Sequence, residues 1–128
     1  MEADQFETGL IKLLGITFHS VTADEVVLRW QVTPDLYQPD GIVHGGVYTA
    51  AIETAASVGA GIWFADRGRV VGVSNQTDFL RAVRAGELTA TATPIHRGRS
   101  QQLWQVQVVD AEDRLVARGQ VRLQNLTS

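Results

Sequence analysis

The amino-acid sequence predicts an α+β fold: one antiparallel sheet, curled around and wrapping a single long α-helix. Three observations lead there. Residues 45–62 form a long run with a single charge, built from Ala50, Ala51, Ala55, Ala56, Gly59, Ala60 and Gly61. Short segments of alternating hydropathy lie on either side of it, two before and four after, each bounded by turn formers. No second helix of that length exists to cover the other face of a sheet. A chain of 128 residues buries roughly two thirds of its extended surface, enough for one core, so the expectation is one domain over 1–128.

The elements follow in order. Phe6, Leu10, Leu13 and Leu14 recur at helical spacing before Gly15, which predicts a short helix over about 3–14. Residues 16–20 are a candidate strand. In 25–33, Val26, Leu28, Trp30 and Val32 share one face, and Pro34 ends the run. Residues 34–46 are rich in turn formers and read as an ordered loop entering the helix. Small side chains cost little entropy there and let a neighbouring backbone come close, so the helix is expected to be enclosed. After Asp66-Arg67-Gly68 come strands over 69–80, 87–95, 101–109 and 115–123, expected in meander order. Trp104, Val106 and Val108 share a face, as do Leu115, Ala117, Gly119, Val121 and Leu123. Gly119 within its strand signals a bulge or a close backbone approach. Uncovered sheet edges argue for self-association.

Composition narrows the function. There is no cysteine and only three scattered histidines, so no disulfide scaffold, thiolate nucleophile or metal centre is expected. The N-terminus opens acidic, without the basic start and apolar run of a secretory signal, and no apolar stretch reaches the 18 residues of a span. A cytoplasmic location and no membrane partner are the resulting expectations. A net charge of -3 argues against a nucleic-acid partner. The charge is unevenly placed: Arg67, Arg69, Arg81, Arg84, Arg97 and Arg99 face only Asp78 and Glu87 in 67–99, while the remainder is acidic. Such clustering suits a local anionic ligand, and equally a solvated surface with ordinary ion pairs.

Glu53 stands out as the one charged residue between His44 and Asp66. A glutamate in an otherwise apolar helix is either paired at a surface or interface, or held as a catalytic carboxylate in a partly dry cleft. Counting in fours, Gly45, Thr49, Glu53 and Ser57 share one stripe. Gly45 and Gly46 fall where the helix should begin, with backbone N–H groups that lack intrahelical partners. A glycine there either makes a tight turn or lets a substrate oxygen approach, as in an oxyanion hole. His44 reads more readily as a fixer of loop shape than as a base. Ser57 could orient Glu53 or a water, or simply bond the helix backbone.

The run Gly41-Ile42-Val43-His44-Gly45-Gly46, followed by Glu53, resembles the signature of the hotdog-fold acyl-CoA thioesterases. Its flavour is that of the PaaI-like and Arthrobacter-type 4-hydroxybenzoyl-CoA thioesterase branch. The likeness continues through 73–81 and 95–100. It implies a homodimer assembling to a homotetramer, with active sites between subunits, and no cofactor, coenzyme A being part of the substrate. It also implies residue roles: Glu53 as nucleophile or general base, the Gly45 N–H polarising the thioester carbonyl, Gln38 holding the thioester and Ser57 supporting the attacking water. Gly46, Asn75, Arg81, Arg84, Arg97 and Arg99 become candidate contacts to the CoA portion, whose phosphates match guanidinium forks. Two alternatives keep the fold: a hydratase or dehydratase using His44 with Glu53, and a non-catalytic acyl-CoA binder.

Overall fold

A computed structural model describes residues 3–127; Met1, Glu2 and Ser128, part of the expected 1–128 span, lie outside them. After a 3-10 turn at Ala3–Phe6 come α1 (Gly9–Leu13), β1 (Thr17–Val21) and β2 (Val26–Gln31), then a 3-10 turn at Pro34–Leu36. The long helix α2 spans Gly45–Phe64. It is followed by β3 (Gly68–Phe79), β4 (Glu87–Arg97), β5 (Gln101–Val109) and β6 (Leu115–Thr127).

The N-terminal helix is not the continuous one expected over 3–14. Gly9 takes a left-handed φ of 55° and separates the 3-10 turn from a single helical turn. Ile11 is the residue that enters the core, whereas Leu10 and Leu13 are 59% and 81% exposed. The segment is held instead by Phe6 against Phe18 and by the Glu7 carboxylate, which accepts the Phe18 N–H at 2.8 Å.

The six strands form one antiparallel sheet in the order β1-β2-β4-β5-β6-β3. Only β4, β5 and β6 meander. β3 does not pair with its chain neighbour β4 but crosses to the far edge beside β6, and β2 takes its place next to β4.

The expectation of a curled sheet wrapped around the helix is overturned. The sheet is open: β1 pairs only with β2, β3 pairs only with β6, and the two edges do not meet. The physical reason is size. An eight-stranded barrel has an interior just wide enough for its own side chains, and a helix with side chains needs about 10–12 Å, so six strands cannot enclose one. Instead α2 lies on one face of the sheet. Its buried residues come in four doublets, Val47-Tyr48, Ala51-Ile52, Ala55-Ala56 and Gly59-Ala60, followed by Phe64 alone, and the intervening residues are less buried.

Small residues earn their place where helix and sheet touch. A β-carbon at Gly59 would stand 2.6 Å from the Trp104 indole, and one at Gly119 would stand 2.9 Å from the Ile52 side chain. The pairing of β5 with β6 runs unbroken through Gly119, so its role is close approach and not a bulge. The expected strand faces are buried, including Val26, Leu28 and Trp30 and also Trp104, Val106 and Val108. One polar chain crosses this core. Trp104 Nε1 donates to Gln102 Oε1 at 2.8 Å, and Gln102 Nε2 donates to Ala60 O at 3.2 Å and Asn125 Oδ1 at 2.9 Å. Asn125 Nδ2 donates in turn to Gly98 O and Arg99 O at 3.0 and 3.1 Å, tying the β4–β5 hairpin to the helix. Gln102 and Asn125 are both buried and both satisfied, as buried amides must be.

Candidate active site

Glu53 sits on the face of α2 turned away from the core and toward edge strand β3. Its Oε1 accepts Asn75 Nδ2 at 3.1 Å and its Oε2 accepts the Ser57 hydroxyl at 3.4 Å. Asn75 is itself fixed from both ends: Nδ2 also donates to Thr49 O at 3.3 Å, and Oδ1 accepts the Thr77 hydroxyl at 2.8 Å. The carboxylate is therefore half-buried and oriented by two neutral donors, with no cation paired to it among the described ion pairs. Gly72 completes the setting, because a β-carbon there would collide with Glu53 Oε2. The β3 pairing shifts register between Gly72 and Ser74, beside this contact.

A second group of candidates gathers at the start of α2. His44 is the N-cap, and its Nδ1 accepts the Gly46 N–H at 2.7 Å. The Gly45 N–H takes part in no hydrogen bond of the described residues and lies at the positive end of a 20-residue helix. It opens on a cleft of about 420 Å³ that Gln38, Tyr48, Phe79 and Arg81 also line. The tip of the Phe79 ring packs against Gly45, and a β-carbon there would fall 2.9 Å from it. Gln38 Oε1 accepts the Asp40 N–H. That leaves the Gln38 NH₂ as its side-chain donor. The Tyr48 hydroxyl, whose pKa burial pushes up to about 12, stays protonated at any ordinary pH.

The two groups are not one site within a single chain. Glu53 follows Gly45 by eight residues, about 12 Å along the axis at 1.5 Å per residue. A glutamate side chain closes only part of that gap, and Glu53 is not among the residues lining the Gly45 cleft.

The candidate arginines divide. Arg84 Nη1 donates to Asp40 O and Gly41 O at 3.2 and 3.1 Å, strapping the loop before α2, while Tyr37 donates to Arg84 O. Arg97 pairs with Asp24 at 2.9 Å and donates to Ala23 O. Both are committed to their own chain. Arg81 is exposed at the mouth of the Gly45 cleft. Arg99 is exposed in a different cleft with His96, Ser100 and Arg122, on the hairpin that Asn125 anchors. Sequence reasoning missed Gly72 and Thr77. The glycine interrupting Val70-Val71 and Val73 was the available signal for a close approach, and Thr77 lies on the same strand face as Asn75 by the two-residue period. Ile52, on the opposite side of the helix from the carboxylate stripe, is fully buried core. Among the described residues no cluster of His, Asp and Glu could hold a metal ion, and no helix is long and apolar enough to cross a membrane.

Residues 40–117, which carry the His-Gly-Gly entry to α2, Glu53 and Asn75, match the family model of the thioesterase superfamily. The chain belongs to that superfamily, in its PaaI-like branch. A Mycobacterium tuberculosis protein that bears an esterase name is 51% identical over 116 residues, spanning 88% of this chain and 83% of that one. The 1,4-dihydroxy-2-naphthoyl-CoA hydrolase of Listeria monocytogenes is 36% identical over 108 residues, spanning 84% of this chain and 88% of its own. The crystal structure of AziG from S. sahachiroi superposes with a TM-score of 0.92 at 51% identity, covering 94% of this chain and 98% of that one.

Proposed function

We propose that this chain forms one domain that hydrolyses acyl- or aryl-CoA thioesters to the free acid and CoA, at sites shared by two copies. The observation that carries this reading is the pairing of an oriented, half-buried carboxylate with an unpartnered helix N-terminal N–H too distant to serve the same carbonyl. Two antiparallel copies would bring Glu53 of one to Gly45 of the other. The exposed edge of β3, with Val71 and Val73 40% and 54% exposed, is the surface that would pair. In the shared site the Gly45 N–H and the Gln38 amide receive the thioester oxygen as it gains charge. Glu53 either attacks the carbonyl carbon or takes a proton from the water that does. The C–S bond then breaks, and the thiolate leaves to be protonated; where Glu53 has attacked, water then hydrolyses the anhydride so formed, releasing the acid and restoring the carboxylate. Ser57 and Asn75 hold the carboxylate in either case. His44 has its Nδ1 occupied by the helix cap, which disfavours the hydratase reading.

The test of the reaction is release of free thiol from CoA esters by the purified protein; no release would remove the proposal. Gly72→Ala should lower kcat about a hundredfold with little change in melting temperature, since a misplacement of about 1 Å costs on that order and the carboxylate, as the free end of a side chain, can swing aside. Unchanged kcat would detach Gly72 from the site.

Exposed Arg81 and Arg99 supply the cations for the CoA phosphates. Arg99→Ala should raise KM about 10- to 100-fold for a CoA ester, the scale of the 1.5–3 kcal/mol of one charged hydrogen bond. It should leave the N-acetylcysteamine ester of the same acid unaffected. Equal effects on both esters would remove the phosphate role.

A further inference from the structure

The hairpin between β4 and β5 turns through Gly98, Arg99 and Ser100, and the carbonyl oxygens of all three are drawn to one residue of β6. Asn125 Nδ2 donates to Gly98 O and Arg99 O at 3.0 and 3.1 Å. The Asn125 backbone N–H donates to Ser100 O at 2.8 Å.

The direction of the Asn125 amide is set from inside the core. An indole N–H can only donate, so the Gln102 atom that Trp104 Nε1 meets at 2.8 Å is the acceptor Oε1. Gln102 then presents Nε2 to Asn125 Oδ1 at 2.9 Å, and Asn125 presents its NH₂ to the turn. Gln102 and Asn125 are 1% and 6% exposed, so this chain of amides is shut off from solvent.

The consequence falls on the other side of the turn. In a trans peptide the N–H points away from the C=O, so the N–H groups of Arg99 and Ser100 face away from Asn125. Neither takes part in a hydrogen bond of the described residues. Successive free N–H groups in a turn form a concavity suited to an oxyanion. Both residues border the cleft of about 470 Å³ that His96 and Arg122 also line, and no carboxylate lines it. Arg99 and Arg122 are exposed, and neither has an acidic partner among the described ion pairs. Gly98 keeps the turn tight, because a β-carbon there would stand 2.7 Å from His96 Nε2 and 3.0 Å from Gln101 O.

We infer that Asn125 is a positioning residue for the CoA end of the substrate: it holds the 98–100 turn so that the Arg99 and Ser100 N–H groups, with the Arg99 and Arg122 side chains, receive a phosphate. The inference rests on the proposed hydrolysis of CoA thioesters. Asn125 itself touches no substrate. It acts by fixing the turn beforehand, so that the phosphate does not have to order it on binding, and binding gains what that ordering would cost.

The experiment compares the full-length protein with Asn125→Ala, which keeps the backbone bond to Ser100 O and loses the two side-chain bonds to the turn. KM for a CoA ester should rise about fivefold, the scale of one or two neutral hydrogen bonds, with kcat unchanged. Both kcat and KM for the N-acetylcysteamine ester of the same acid should stay at their wild-type values. Asn125→Asp keeps the acceptor for Gln102 but carries no NH₂ for the turn. It should raise KM for the CoA ester in the same way, and it serves alone should Asn125→Ala not fold. An unchanged KM for the CoA ester in a folded variant, or an equal rise for both esters, overturns the positioning role while leaving thioester hydrolysis standing. A wild type that hydrolyses neither ester overturns both.

Discussion

Glu53→Ala should lower kcat for thiol release by about 10²–10⁴-fold, the range that a positioned general base or its equivalent contributes. By transition-state arithmetic this is about 3–5 kcal/mol. The fold should survive, because Glu53 lies on the outer side of α2 and its partners Ser57 and Asn75 are neutral groups that water can satisfy. Circular dichroism and the size of the assembly should match the wild type. Retention of more than about a tenth of the wild-type kcat would exclude Glu53 from the chemistry. In a single turnover in ¹⁸O-labelled water, a first acid released without label shows attack by Glu53 followed by opening of the anhydride at the Glu53 carboxyl carbon, whereas water activation places one labelled oxygen in it.

Trp104→Ala should have the largest effect on stability. The indole is fully buried, packs on the bare backbone of Gly59 and donates to Gln102. Truncation of a buried tryptophan costs about 3–5 kcal/mol, a large share of the 5–15 kcal/mol that holds a typical domain together. Here the cavity also orphans Gln102 Oε1, so the upper end applies. A fall of about 10–20 °C in melting temperature is expected by thermal denaturation. A fall of only a degree or two would mean that the core closes over the loss.

Much of this was legible in the residues. Alternation placed β2, β4, β5 and β6 and the faces they bury, because each half-buried strand writes its environment into every second position. The one charge in an alanine-rich run located Glu53, and the paired glycines located the helix start. Other features leave no local trace. The crossing of β3 to the far edge is a long-range pairing, invisible in the pattern of any single strand. The alanine content of α2 reads as enclosure, but small residues are needed only where Gly59 and its neighbours meet the sheet, and the sheet stays open. Leu10 and Leu13 had the spacing of a buried face, yet Gly9 resets the helix and Ile11 is buried instead. Arginine clustering could not reveal that Arg84 and Arg97 are held by their own chain.

The axial gap of two turns between Gly45 and Glu53 has a genetic consequence in the proposed assembly. Each chain lends its carboxylate to one centre and its helix end to the other. A chain damaged at Glu53 and a chain blocked at Gly45 are each inert as homodimers, yet paired together they rebuild one intact centre beside one doubly defective one. Two loss-of-function alleles of one gene would then complement each other.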